Sequence, residues 1–330
     1  MKFFVLVFLL LTLVASVVNT FAEEPQPTPP GSEKEPLDLP NLATPTLGGT
    51  QFWSDELVLR GYRIQRNCVS GHYRLLDDNN VRQAWGELEA CQRRLNEFKI
   101  EPVRGKVVVL LHGLGATRNS MADLAKYLEE QGGYTTINVS YASTRADLPT
   151  HAASLAKVIG GLNEATEINF VTHSMGGLVV RQYLTNPEEP GQPRMPDPRV
   201  KRFVMLGPPN HGAQWGARFK ELVIFQPLMG KSAVLTSSSK EEVTRALATP
   251  SCEFAVIAGG QGNDKGLNPL ITGDDDLVVA VDETKLAGAR DFAVVPVMHR
   301  WIMGDAKARE YTLRFLQQGC FISDMRRQPL

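Results

Sequence analysis

Residues Phe170 to Leu184 read FVTHSMGGLVVRQYL, an apolar strand that runs directly into a helix with Ser174 at the turn. A strand-turn-helix corner of this kind lifts a hydroxyl above the edge of a sheet and points the first backbone N–H groups of the helix into the same space. Small residues are wanted on either side of such a serine, because its strained backbone draws neighbouring main chain close. Gly176 and Gly177 meet that need on the helix side, whereas Thr172, two residues before the serine, has to fit through its choice of χ1. Taken alone, the stretch also has a plainer reading as a buried serine that caps a helix.

Outward from this corner the chain alternates strand and helix. Lys106 to Leu111 is a continuous apolar run, short enough for a strand buried on both faces, and it ends in His112-Gly113-Leu114-Gly115. Ser120 with Asp123 opens a helix whose Met121, Leu124, Tyr127 and Leu128 form a buried face before Gly132-Gly133 ends it. Strand Thr135 to Val139, helix Ala152 to Leu162 and strand Ile168 to Thr172 lead into Ser174. Beyond the proline-dense stretch Asn186 to Pro198 come strands Val200 to Leu206, Phe254 to Ala258 and Phe292 to Val297, then a closing helix from Ala306 to Gln318. This alternation predicts an α/β fold with a doubly wound, mostly parallel sheet. Ahead of it, Gly61 to Asn67 and His72 to Leu76 form a hairpin across Val69-Ser70-Gly71, and helical spacing of Val81, Ala84, Trp85, Leu88, Leu95 and Phe98 predicts a helix over Val81 to Phe98. Asp77-Asp78-Asn79-Asn80 would cap that helix, and Trp85 and Cys91 would pack on it.

The 330 residues are enough for one large domain with an N-terminal extension, and 43% hydrophobic content with a formal charge of −1 describes an ordinary globular chain. Without a long basic run or interleaved basic and aromatic residues, nucleic acid is not an expected partner. Met1 to Ala22 has the form of an export signal: Lys2, an apolar run over Phe3 to Val18, and the small-x-small end Thr20-Phe21-Ala22. The expectation is a periplasmic or secreted protein, with a membrane tether through an uncleaved signal as the alternative. The division expected is a signal over 1–22, a proline-rich tether without fixed structure over 23–50, hairpin and helix over 51–105, the α/β core over 106–320 and a tail over 321–330. Four cysteines in an exported chain permit two disulfides. Proximity suggests Cys68 with Cys91 and Cys252 with Cys320, and buried free thiols are the competing reading. None has metal-ligand spacing.

A serine becomes a nucleophile at neutral pH when a base takes its proton and a third group fixes the tautomer of that base. His299 follows the last strand and Asp276 lies in the loop after the strand before it, so the order Ser, Asp, His is that of groups projecting from successive strand ends. Of the other histidines, His112 reads as a loop support, His173 as packing, His211 as a hydrogen-bonding group near the sheet edge, and His72 and His151 as surface or hairpin residues.

In these features the chain resembles the α/β-hydrolase fold, and within it the bacterial lipases and esterases. His112-Gly113-Leu114-Gly115 resembles the oxyanion loop of that family, and Thr172 to Leu178 its nucleophile elbow, with Thr172 at the first glycine of Gly-x-Ser-x-Gly. Leu206 to Gly212 is similar to its Leu-Gly-Thr-Pro-Asn-His-Gly segment, with Pro208 in place of threonine. Asp276-Leu277-Val278-Val279-Ala280-Val281 is similar to its acid loop Asp-Gly-x-Val-x-Val, with Leu277 in place of glycine. Asp274 and Asp275 compete with Asp276 for the acid role; register on Val279 and Val281 selects Asp276.

The resemblance implies Ser174, His299 and Asp276 as a catalytic triad, with the backbone N–H groups of Leu114 and Met175 as oxyanion donors. It implies a serine hydrolase of carboxylic esters, lipid-like or small, that works without a cofactor and is open to transient contact with a lipid surface; related lipases hold Ca²⁺, but the aspartates here lack the ligand spacing for such a site. Trp215, Phe219, Leu222 and Phe225 belong to an apolar stretch, Trp215 to Met229, that is either a lid over an acyl pocket or core. Thioesters and amides suit the same triad. A hydrolase fold that binds without turnover is the alternative from another class, resting on the departures Thr172 and Leu277.

Overall fold

The computed structural model describes residues 44–45, 51–212, 243 and 245–330. Its centre is a parallel sheet of six strands: β6 (Gly105–Leu111), β7 (Thr135–Val139), β8 (Ala165–His173), β9 (Val200–Leu206), β10 (Glu253–Gly259) and β11 (Asp291–Val295), in the spatial order β11-β10-β9-β8-β6-β7. Every pairing in it is parallel.

Residues in these strands point alternately to two covered faces, which is why they read as unbroken apolar runs. On β6, Val107, Val109 and Leu111 join the core beneath α3 (Leu148–Gly160) and α4 (Met175–Leu184). Val108 and Leu110 join the opposite core, with α2 (Ala122–Gly132) and α5 (Ala306–Gln318). Phe203 and Met205 against Val204 and Leu206 on β9, and Val256 and Ala258 against Ala255 and Ile257 on β10, repeat the division. The chain therefore reverses its direction of travel across the sheet between β6 and β8, and the crevice at the carboxyl ends of those two strands is where such sheets place their sites.

The N-terminal part is a second, antiparallel sheet in the order β1-β5-β4-β3-β2: β1 (Thr44–Pro45), β2 (Trp53–Leu59), β3 (Tyr62–Asn67), β4 (Tyr73–Leu76) and β5 (Val81–Gly86). The β3–β4 hairpin is the one expected. The helix expected over Val81 to Phe98 is split: Val81–Gly86 is a strand, and only Leu88–Glu97 is helical, as α1. Asp77 accounts for the difference, because its carboxylate takes the N–H groups of Asn79 at 3.0 Å and Val81 at 2.9 Å. With Asn80 at φ 61° the four polar residues turn the chain back onto β4 instead of capping a helix. Trp85 thus stands on a strand. Thr44 and Pro45, inside the stretch expected to lack structure, pair with Arg82 and Val81.

Ile64, Leu75 and Ala84 on one face of this sheet pack with Cys91 and Leu95 of α1. The four cysteines are free: Cys91 and Cys320 are buried, Cys252 is half-buried and Cys68 is exposed. The pairing suggested by proximity fails because Cys91 faces the small core under α1 while Cys68 lies outside it, at the turn after β3. Burial pushes the thiols of Cys91 and Cys252 up to about 12, as expected of packing residues. Trp215, Phe219, Leu222 and Phe225 lie outside the described residues.

Candidate active site

Ser174 sits between the end of β8 and the first residue of α4, at φ 52° and ψ −125°. No ordinary L-residue region contains that pair, so the corner is held by its surroundings. The Ser174 N–H donates to Leu206 O at 2.9 Å, and its carbonyl accepts from Gly177 N at 2.9 Å. Gly176 lets the helix start come down on β6: a Cβ there would lie 2.7 Å from Leu111 O and 2.8 Å from His112 O, both backbone atoms. The glycine after the serine is thus a requirement of closeness.

The loop after β6 approaches the same point. A Cβ on Gly113 would stand 3.1 Å from Ser174 Cβ and 2.9 Å from His173 Nδ1. Several contacts fix this loop: His112 Nδ1–H donates to Gly113 O at 2.8 Å, Gly115 N–H to Ser143 Oγ at 3.0 Å, and the Tyr141 hydroxyl to His112 O. The imidazole of His112 stacks on Tyr141 at 4.2 Å between ring centres, so it supports the loop as expected. Burial lowers it to about 4 and keeps it neutral. Among the described residues neither the Leu114 N–H nor the Met175 N–H has an acceptor, and both lie at the crevice.

At the other side, His299 opens a short 3-10 helix, His299–Gly304, after β11. Its Nδ1–H donates to Asp276 Oδ2 at 2.7 Å, and its backbone N–H donates to Asp276 O at 2.9 Å. Asp276 is fully buried; its second oxygen accepts from Val278 N at 3.1 Å and Val279 N at 2.8 Å. Two glycines make room: a Cβ on Gly207 would lie 3.2 Å from His299 Nδ1, and one on Gly259 2.8 Å from Asp276 Cβ. The proton on Nδ1 leaves Nε2 as the basic nitrogen of a neutral ring.

The competing aspartates have other work. Asp275 is fully buried and accepts from the backbone of Leu267, Asn268 and Leu277, while Asp274 accepts from Gln261 and Gly262. Each carboxylate of the run thus closes a different piece of loop, and only Asp276 meets a histidine. Leu277 has φ 85°, a left-handed value that explains why glycine suits this position. Its N–H is held by Asp275 at 2.7 Å and its carbonyl by Asn268 Nδ2 at 3.0 Å.

His173 is more than packing. Its Nε2–H donates to His299 O at 3.0 Å and the two rings stand 4.7 Å apart. One side chain therefore touches the loop of His299, while its backbone adjoins Ser174 and its Nδ1 edge faces Gly113. Burial, with His299 beside it, holds its pKa well below the ordinary histidine value. Sequence reasoning had no means to find this link, which spans 126 residues. His151 departs from expectation: it is buried on α3, edge-on to Tyr141 at 4.9 Å, because Leu148–Gly160 begins one turn earlier than its apolar spacing indicated.

Residues 106–228 match the family model described as the alpha/beta hydrolase fold. With the six parallel strands, the serine corner at the switch point and the acid and histidine loops in order, that match decides the architecture. The chain has the α/β-hydrolase fold.

Among solved structures, the mature lipase BlEst2 of Bacillus licheniformis is 18% identical, with a TM-score of 0.47 over 67% of this chain and 94% of that one. The lin2722 product of Listeria innocua is 17% identical, with a TM-score of 0.44 over 66% and 95%. The metagenomic carboxyl esterase MGS0156 is 19% identical, with a TM-score of 0.42 over 61% and 66%. No curated protein matches the sequence. Within this fold the corner departs from pattern at Thr172, whose fully buried Oγ1 has no hydrogen-bond partner among the described residues and would lie 3.4 Å from a Cβ on Gly177. Among the described residues no group of three or more His, Cys, Asp or Glu is gathered to hold a metal ion, and no helix is long and apolar enough to cross a membrane.

Proposed function

We propose that this α/β-hydrolase cleaves carboxylic esters through a covalent acyl-enzyme on Ser174. The observation that carries the reading is the pair of hydrogen bonds from His299 to Asp276, side chain to side chain at 2.7 Å and backbone to backbone at 2.9 Å, on loops at the strand ends that also present Ser174. His299 Nε2 takes the proton of Ser174 Oγ as the oxygen attacks the ester carbonyl, and Asp276 holds the ring in the required tautomer and steadies its cationic form. The N–H groups of Leu114 and Met175 receive the oxyanion; the second lies at the start of α4, where backbone donors lack intrahelical acceptors. His299 then gives its proton to the leaving alcohol, and water repeats the cycle to release the acid.

Esters are preferred because an alkoxide leaves far more readily than an amine from a resonance-stabilised amide, with His299 giving its one proton to the leaving group; thioesters suit the same geometry. The form of Met1 to Ala22 supports an exported enzyme, periplasmic or secreted. The test is covalent labelling with a fluorophosphonate, beside Ser174→Ala and Asp276→Asn. Labelling of the parent, its loss in the serine variant, and a fall in ester turnover of at least 10³-fold in both variants are expected. A parent that fails to label, or variants within tenfold of it, would refute the reading.

A further inference from the structure

The face of the antiparallel sheet turned away from α1 carries charge where a core would be expected. Asp55 on β2, Gln65 on β3 and Arg74 on β4 stand in one cross-strand row. Arg63 on β3 pairs with Leu76, and an irregularity after Leu75 sets Leu76 opposite Arg82 of β5, so Arg63 and Arg82 belong to the neighbouring row. A fourth arginine, Arg118, comes from the 3-10 turn after the Gly113–Gly115 loop and donates to Asn80 Oδ1 at 2.6 Å. Four guanidinium groups thus gather at one place.

Asp55 does not balance them. It is fully buried and already accepts from Arg63 Nη1 at 2.5 Å, Gln65 Nε2 at 2.7 Å and Ser140 N at 2.6 Å. Among the described residues it is the one carboxylate in an ion pair with Arg63, and none is in an ion pair with Arg82 or Arg118. Asp77, in the nearby turn, is engaged by Asn79 N, Val81 N and Gln83 Nε2. Arg74 bonds Gln65 Oε1 and lies over the ring of Trp53 at 4.0 Å. The Nε atoms of Arg63 and Arg82 are buried without a hydrogen-bond partner among the described residues. The guanidinium of Arg74 is lowered to about 10, by burial first, with Asp55 opposing and Arg82 and Arg118 adding to the lowering. Burial and then Arg63 lower Arg118. Arginine keeps its proton under such pressure, so a cluster of this kind is stable when an anion enters it.

We propose that this cradle binds a phosphate group, seated among Arg63, Arg82 and Arg118. A phosphate dianion offers several acceptor oxygens in the fork geometry that guanidinium groups prefer, and it supplies the negative charge that Asp55 alone does not. The site involves neither Ser174 nor His299 and stands independently of the ester-hydrolase reading.

The experiment is thermal unfolding and calorimetric titration of the mature protein with inorganic phosphate and with glycerol 3-phosphate, ionic strength being held constant with sodium chloride. Arg82→Gln and Arg118→Gln accompany the parent, since both positions are partly exposed and the substitutions leave the buried Asp55–Arg63 pair in place. The parent is expected to show a saturating rise in Tm and a heat of binding, with affinity at least tenfold weaker in each variant. A response to inorganic phosphate alone assigns a free ion, and an equal or larger response to glycerol 3-phosphate assigns a phosphate group on an organic molecule. In phosphate-free buffer each variant should unfold at or above the parent temperature, because a crowded cation has been removed. No rise beyond that in chloride, or an unsaturated rise shared equally by parent and variants, would overturn the proposal. So would variants that unfold earlier in phosphate-free buffer yet bind phosphate as tightly as the parent.

Discussion

Lowering the pH from 7.5 to 5 should remove a large part of the stability of this protein, and buried histidines set the size of the loss. Burial lowers both His112 and His151 from 6.5 to about 4, and in His151 the nearby Asp147 offsets part of that effect. The form disfavoured in the folded state is the charged one. The unfolded chain therefore takes up a proton at each site once the pH falls below about 6.5, while the folded chain refuses it until the pH nears 4. The stability is whole above pH 6.5 and is lost progressively between 6.5 and 4. Lowering from 6.5 to about 4 corresponds to roughly 3 kcal/mol at each site when the loss is complete, of the order of a third of a typical folding free energy. His173, held well below its ordinary value, acts in the same direction. Asp147 and Asp197, whose carboxyls are lowered by hydrogen bonds from Thr150 and Arg199, lose their contribution only as the pH falls below about 3.8 toward their folded values, so they leave the upper window to the histidines. Urea unfolding at pH 7.5, 6.5, 5.5 and 5.0 gives the slope, which near pH 5 approaches about 1.3 kcal/mol per pH unit for each buried histidine. Unfolding free energies equal at pH 7.5 and 5.0 would refute the argument.

Leu277→Gly should stabilise the protein by about 1 kcal/mol in urea unfolding, because Leu277 is partly exposed at φ 85° and glycine adopts that backbone without strain. Gly176→Ala should cost about 3 kcal/mol or more and abolish fluorophosphonate labelling, since its methyl group would meet two backbone carbonyls at 2.7 and 2.8 Å that cannot turn aside. His173→Phe should lower kcat for esters at least tenfold with KM little changed, and His173→Gln, which keeps a donor toward His299 O, should recover most of it; equal kcat in the two variants would sink the idea that this bond positions His299.

The central sheet was legible because its strands are covered on both faces, so Lys106 to Leu111 and Val200 to Leu206 appear as apolar runs bounded by turn residues. The antiparallel sheet was not. β2 reads WSDELVL, and its Ser54, Asp55 and Glu56 are all buried, held by partners on distant segments: Ser140 for Asp55 and Lys157 for Glu56, at 2.6 and 2.7 Å. A polar residue buried against a partner far along the chain carries no local periodicity. Val81, Ala84 and Trp85 failed in the opposite sense, since their spacing suits a helix while the turn at Asp77 and the ladder to β4 impose a strand. Pairing outweighed pattern.

The site divides along the same line. Ser174, Asp276 and His299 could be singled out as candidates because each follows a legible strand, Asp276 in the long loop after β10, and the order of strands is set by topology. What the order could not give is how a run of three aspartates is shared out. The structure resolves it by backbone donors: Asp274 receives Gln261 and Gly262, Asp275 receives Leu267, Asn268 and Leu277, and Asp276 receives Val278 and Val279 before it reaches His299. Asp275 holds Leu277 in its left-handed conformation, and that turn sends the chain back so that Val278 and Val279 can donate to Asp276. The bend that glycine permits elsewhere in this fold is here maintained by a neighbouring carboxylate. Asp275→Asn should therefore weaken both the turn and the base: removing that acceptor frees Leu277, loosens the two donors on Asp276, and should lower ester turnover through His299 even though Asp275 touches neither reacting group.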